Sequence, residues 1–180
     1  DAAIKAAEAA IQAVADDAGK YVPGDLKAAQ DALAAAKDKF AKGEYKEALA
    51  AATELGNKVK DLAAAAAAKK DELTKSWNEL AASIPQAVAA IQAKVEELAK
   101  AKKLPKGMDK AKLAQAQEGL AGITKAWDEA STAFTAGNLG EALGRASGVK
   151  EKAAEIMALL GMSPPAPAAP AEAPAAAPAK

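Results

Sequence analysis

Adjacent carboxylates are the side chains of this sequence best suited to chemistry. They occur as Asp16-Asp17, Asp71-Glu72 and Glu96-Glu97. A catalytic acid needs surroundings that shift its pKa, and a bound Ca²⁺ needs oxygens gathered by a tight loop. Each pair lies instead among apolar residues spaced as on a helix, which places the carboxylates on its solvated face. We therefore predict no catalytic residue, no cofactor and no metal site, and a protein that is not an enzyme.

The amino-acid composition excludes several further kinds of catalysis and of binding partner. The chain has no Cys and no His, which excludes disulfides, thiolate nucleophiles and imidazole catalysis. Its 24 basic and 24 acidic residues balance, and Arg145 is the only arginine. Nucleic-acid binding favours a basic stripe rich in arginine, so we predict no nucleic-acid partner. No apolar run approaches the roughly 20 residues that span a bilayer, so we predict no transmembrane segment.

The elements that must position any site are helices. Alanine, the residue with the highest helix propensity, supplies most of the 51% hydrophobic content. Apolar residues recur at spacings of three and four throughout, which indicates amphipathic helices. Breaks at Val22-Pro23, Gly43, Ser83-Pro85, 103–109 and Gly137 predict six helices. Asp25 and Asp109 are the predicted N-caps after the two proline breaks.

The third predicted helix begins near Glu44 and has no strong stop before residue 83. Its apolar stripe begins at Tyr45 and passes through Trp77 to Ile84. Two structures fit the next residues: Ser83 caps a new helix with Pro85 in its first turn, or Pro85 kinks one continuous helix.

The same order of elements occurs twice in the chain. Residues 9–13 and 89–93 share the sequence Ala-Ala-Ile-Gln-Ala at an offset of 80 residues, and the glycine turns at Gly43 and Gly137 lie 94 apart. Glycine adopts positive φ freely, so it ends one helix and lets the next fold back. We predict an all-α, elongated bundle of six helices in two duplicated three-helix units joined by a long central helix. The units are residues 1–82 and 83–161, followed by a disordered Pro/Ala tail at 162–180.

Two resemblances fall on the first unit. The turn from Gly43 to Leu49 resembles the hairpin turn of tetratricopeptide repeats. The spacing of Tyr21, Pro23, Leu26, Ala29, Gly43, Tyr45 and Ala48 is similar to uncharacterised Ala-rich helical domains of bacterial envelope proteins. That resemblance implies export to the periplasm or beyond, peripheral association with the envelope and no catalytic residue. A first residue of Asp1 rather than Met suits a processed, exported chain.

Two sets of residues are candidates for binding a partner. The first set is Leu73, Trp77 and Leu80. They lie in the part of the long third helix that extends beyond the end of the second helix, its hairpin partner. A buried position in the core is the alternative for Trp77, and also for Trp127. The second is Gly140, Gly144 and Gly148, a stripe of small residues that suits either close packing against the fifth helix or a groove for a partner helix.

We therefore expect a non-enzymatic, exported scaffold or interaction module of the envelope or an extracellular assembly. It would bind a protein partner, or itself, through helical stripes. The alternative is a phasin-like protein whose helices coat lipid or polymer granules.

Overall fold

Helix-favouring residues fill nearly every position between the proline and glycine breaks, and the chain forms helices there. A computed structural model of the protein, which describes residues 1–163, has five of them, and no strand occurs in this range. The helices are α1 (Ala2–Tyr21), α2 (Pro23–Ala41), α3 (Tyr45–Lys100), α4 (Lys110–Thr135) and α5 (Leu139–Leu159). The all-α prediction is confirmed.

The helix count differs from the predicted six because α3 runs through Pro85 without interruption. Pro85 is exposed, so its ring projects toward solvent rather than into a core. The hydroxyl of Ser83 donates to the carbonyl of Leu80 at 3.3 Å instead of capping a new helix. Of the two structures that the sequence allowed, the continuous helix is the one observed.

The two predicted N-caps had different outcomes. Asp109 caps α4, and its carboxylate accepts a hydrogen bond from the backbone N–H of Lys112 at 2.8 Å. Asp25 does not cap α2, because that helix begins two residues earlier, at Pro23. Proline is favoured at the first position of a helix, where its missing N–H has no intrahelical partner to lose. Asp25 therefore lies in the first turn, near the positive end of the helix dipole.

The turns at Gly43 and Gly137 have the same backbone geometry. Their φ angles are 81° and 80°. Gly43 N–H donates to the Phe40 carbonyl at 3.1 Å, and Gly137 N–H donates to the Phe134 carbonyl at 2.9 Å. The N–H of the residue after each glycine donates further back, at 3.0 Å and 2.9 Å, which completes the helix-ending pattern of a Schellman motif. Both predicted turns are confirmed.

The described chain contains two hydrophobic cores, each built from three helical segments. The first belongs to the compact unit Asp1–Thr74 and the second to the unit that begins at Lys75, so the division falls within α3. The first core includes Ile4, Ile11, Leu33, Leu55, Val59 and Leu62 from α1, α2 and the first part of α3. The second includes Trp77, Ile84, Ile91, Ile123, Val149, Ile156 and Met157 from the rest of α3, α4 and α5.

Some sequence-based assignments change in detail. Tyr45, predicted on the buried stripe of the third helix, is 63% exposed, because the buried face of α3 begins at Ala48. The unit division lies eight residues before the expected one at 82/83, since Trp77 packs in the second core. Met162, assigned to the tail, also packs against that core. The rest of the predicted tail, residues 164–180, lies outside the described residues.

Candidate functional site

A groove lies between α4 and α5 in the second unit. Its volume is about 520 Å³, within the usual range of binding pockets in proteins. Apolar side chains and two glycines form its floor, and charged groups stand around it. The residues that line it are Gln115, Glu118, Gly119, Gly122, Ile123, Lys152, Glu155, Ile156 and Leu159.

Glycine on α4 allows the close helix contact at this groove. A Cβ atom at Gly119 would lie 2.8 Å from Ile156 Cδ1 and 3.0 Å from Ile156 Cγ1, which is shorter than a normal van der Waals contact. At Gly122, one turn further along, a Cβ atom would meet nothing within 4 Å. The absence of a side chain at Gly119 therefore allows Ile156 of α5 to pack closely on α4, whereas the absence of a side chain at Gly122 leaves the groove open.

The rim of the groove carries two acids and one base. Glu118 is on α4, and Lys152 and Glu155 are on α5. None of the three takes part in an ion pair with another residue in the 1–163 range. Charged side chains that have no partner within the protein can bind a charged ligand. Two acids and one base are complementary to a ligand that carries both kinds of charge or a small positive excess.

The predicted glycine stripe does not pack against α4. A Cβ atom at Gly140, Gly144 or Gly148 would meet nothing within 4 Å, so the close-packing interpretation of the sequence was wrong. These glycines face open space because the buried side of α5 is formed by other residues, such as Ala142, Ala146 and Val149. Gly148 precedes Glu155 by seven residues, about two helical turns. It therefore lies on the same side of α5 as Glu155, but it does not line the groove.

The aromatic candidate residues lie in the second core. Trp77 is buried, and its indole stacks on Trp127 and on Phe134, with ring centroids 5.2 Å and 4.5 Å apart. Leu80 is half-buried and packs against the same core. Leu73 is half-buried as well. A core position was one of the two predictions for each tryptophan. Trp77 occupies such a position, and Trp127 is half-buried and packs beside it.

The carboxylate pairs are exposed and engage lysines. Lys69 bonds Glu72 at 2.9 Å, Lys94 bonds Glu97 at 3.0 Å, and Lys70 lies 3.8 Å from Asp17. No cluster of three or more acids suited to a metal ion occurs within residues 1–163. A hydrogen bond from Lys58 and its positive charge hold the pKa of Glu54 below its ordinary value. Glu54 is fully exposed, so this shift marks a surface ion pair and not a pocket.

Sequence reasoning missed Gly119 and Gly122, because it followed the glycine spacing of α5 and not that of α4. The signal was present as two glycines three residues apart within an Ala-rich helix. Their different roles depend on where Ile156 lies, which only the packed structure shows.

Comparison with protein-family models, with curated proteins and with solved structures found no match. None of the helices in residues 1–163 combines the length and the apolar character needed to cross a membrane.

Proposed function

We propose that the chain is a non-enzymatic helical interaction module whose α4–α5 groove binds a helix of a partner protein. The observation that carries this proposal is the groove itself, which is lined by apolar side chains and has an open glycine position at Gly122. Small residues let a partner backbone approach closely, and dispersion contacts then grow along the helix. An amphipathic helix placed in an apolar groove is a common mode of peptide recognition.

The two units are proposed to be copies of one ancestral three-helix unit. The matching turns at Gly43 and Gly137 support this origin. So does the burial of Ile4, Ala7 and Ile11, whose equivalents at an offset of 80 residues are Ile84, Ala87 and Ile91, all buried. A duplicated scaffold would offer related surfaces in both units, as repeat-containing binding proteins do.

Export to the bacterial envelope or beyond is part of the proposal and depends on the resemblance given above. Fractionation of the native source, with the chain detected by antibody, tests it. Recovery with periplasmic or secreted proteins supports export, and recovery with cytoplasmic markers contradicts it. The alternative of a granule-coating protein requires both cores to open on a lipid or polymer surface. Flotation with liposomes, followed by loss of the stacked Trp77–Trp127 signal, would favour that alternative.

The groove can be blocked without harming the fold. Gly122→Leu fills open space and replaces a helical glycine, so we expect stability to rise by about 1 kcal/mol while partner binding is lost. The test is affinity capture from the native source with the full chain as bait. Gly56→Leu is the matched control, because Gly56 is another helical glycine with nothing within 4 Å of a Cβ, and it lies on α3 in the first unit.

The proposal expects the same partner with wild-type and Gly56→Leu bait, and its absence with Gly122→Leu. Equal capture by all three baits would exclude the groove as the binding site. If no partner is captured and the protein sediments as a monomer at high concentration, the interaction function itself is contradicted.

A further inference from the structure

The connection between α3 and α4 concentrates positive charge at one end of the second unit. Residues 100–112 contain six lysines and a single acid, Asp109. The carboxylate of Asp109 already accepts a hydrogen bond from the backbone N–H of Lys112. The whole chain has a net charge of zero, so this surplus is a local feature and does not follow from the overall composition.

Two of the six lysines have partners within the protein. Lys100 Nζ lies 3.7 Å from Glu96 Oε2, and Lys112 Nζ donates to the carbonyl of Gly107 at 2.7 Å. The other four are exposed and form no ion pair or hydrogen bond with another residue in the 1–163 range. These four residues, called the lysine cluster below, are Lys102, Lys103, Lys106 and Lys110.

Packing fixes the loop that carries most of the cluster. Leu104 and Met108 are half-buried and pack against the second core. Between them, the N–H of Met108 donates to the carbonyl of Pro105 at 3.0 Å. Gly107 has a φ of 91°, as the third residue of a type II turn requires. The apolar residues therefore hold the loop against the core while its lysines remain exposed.

The acids of the adjoining helix turns reduce the positive surplus but do not cancel it. After the Gly137 turn, α5 runs back alongside α4, so residues 150–163 lie at this end together with residues 94–118. These two ranges contain nine basic and six acidic residues. The C-termini of α3 and α5 and the N-terminus of α4 add about half a negative charge through their dipoles. This end of the second unit therefore keeps a net positive charge.

The make-up of the cluster suits a surface of phosphate groups. Its bases are all lysines, which act as point charges, whereas arginine suits bidentate recognition of one carboxylate or phosphate. Protein interfaces are usually anchored by a large apolar side chain or arginine. The exposed large hydrophobic residues of the 1–163 range are Tyr45 and Leu49, which belong to the first unit. Clusters of about four basic residues are attracted to the negative surface potential of anionic lipids.

We propose that the lysine cluster binds the surface of a bilayer that contains anionic phospholipids, while the second unit stays folded. Leu104 and Met108 remain in the core, so the attraction is electrostatic and needs no insertion of apolar side chains. No residue of the cluster lines the α4–α5 groove, so the groove and the cluster can each fail without the other. The proposal also differs from the granule-coating alternative, which requires both cores to open.

The test mixes the full chain with vesicles of phosphatidylcholine alone, or of phosphatidylcholine and phosphatidylglycerol in equal parts, and measures binding by cosedimentation. We expect binding to the anionic vesicles only, and its loss near 1 M salt, where the Debye length is about 3 Å. Lys103→Gln combined with Lys106→Gln should weaken binding about 25-fold, since each lysine near such a surface contributes about fivefold. The exciton signal of Trp77 and Trp127 should stay unchanged on binding.

A matched control removes the same charge elsewhere in the second unit. Lys75 and Lys125 are exposed and form no ion pair with another described residue. Along their helices they lie roughly 22 Å or more from the loop, beyond the range of the surface potential. Lys75→Gln combined with Lys125→Gln should therefore bind within about twofold of the wild type.

Several outcomes would overturn the proposal. Equal weakening in the two double variants would mean that net charge alone controls binding. Failure to bind anionic vesicles, or equal binding to the neutral ones, would contradict the electrostatic attraction. Equal binding to duplex DNA at matched phosphate concentration would show that the cluster does not prefer a bilayer. Loss of the tryptophan exciton signal on binding would mean that the second core opens, as the granule-coating alternative requires.

Discussion

Trp77 and Trp127 stack with their ring planes 6° apart and their centroids separated by 5.2 Å. The pair joins α3 to α4, and Trp77 also stacks on Phe134 of α4. Both tryptophans belong to the second unit, whereas Tyr21 and Tyr45 belong to the first. Tryptophan fluorescence therefore reports on the second unit alone, and the stability predictions for that unit use it.

Trp77→Ala is expected to lower the free energy of unfolding of the second unit by about 3–5 kcal/mol, the usual cost of removing a buried aromatic side chain. Trp127→Ala should cost less, because Trp127 is only half-buried. Guanidinium denaturation followed by the remaining tryptophan measures both. Either variant should also abolish the exciton signal of the stacked indoles in circular dichroism. Equal costs for the two variants would contradict the greater burial of Trp77.

The helices and most of the core follow from local rules. Ile123, Ala130 and Val149 each follow the apolar spacing of three and four residues that predicts an amphipathic helix, and each is fully buried. The turns at Gly43 and Gly137 follow from the need for positive φ. These features could be predicted because they depend on residues near one another in the sequence.

Features that depend on distant residues could not be predicted in this way. Tyr45 continues the apolar spacing of Ala48 and Ala52, yet it is 63% exposed, because the buried face of α3 begins only at Ala48. Likewise, Gly119 and Gly140 look alike in sequence, and only the position of Ile156 shows that α5 approaches the first of them. The continuous path of α3 through Pro85 was one of two local solutions, and packing on both sides of Pro85 favours it.

Pro85→Ala should stabilise the second unit by about 2 kcal/mol. Alanine restores an N–H that can donate to the carbonyl of Ala81, and a helix-interior proline costs about 3 kcal/mol relative to alanine. Up to about 1 kcal/mol of this gain in stability is lost, because proline also restricts the conformations of the unfolded chain and alanine does not. Denaturation followed by tryptophan fluorescence measures the change. Gln86→Ala, at the next exposed position, is the control and should be nearly neutral. Loss of stability in Pro85→Ala would mean that the second core requires the backbone geometry that proline imposes.

The Glu54–Lys58 pair gives a pH dependence of known sign. Lys58 Nζ lies 2.8 Å from Glu54 Oε1 and lowers the pKa of that carboxyl. Because the folded-state pKa is the lower one, the pair stabilises the protein above the unfolded-state pKa. Its contribution is lost as the pH falls through the folded-state pKa. Lys58→Gln should raise the Glu54 pKa toward its ordinary value in an NMR titration of the side-chain carboxyl. Lys60→Gln should leave it unchanged, and an equal rise in both variants would rule out the specific pair.

Alanine substitution at the two glycines of the groove should have opposite effects. Gly122→Ala enters open space and gains helix propensity, so we expect the second unit to become more stable by about 1 kcal/mol. Gly119→Ala gains the same propensity, but its Cβ would lie 2.8 Å from Ile156 Cδ1. Overpacking of this kind typically costs about 1–3 kcal/mol, so the net effect should be neutral or destabilising.

The conflict at Gly119 can be relieved to test this explanation. Ile156→Val removes the Cδ1 atom that the new Cβ would meet. Gly119→Ala should therefore be less harmful in the Ile156→Val background than in the wild type, and the double-mutant cycle should show a favourable coupling of about 1 kcal/mol. Gly122→Ala in the same background is the control and should be additive. Additivity at both glycines would mean that Ile156 does not limit the approach of α5 to α4.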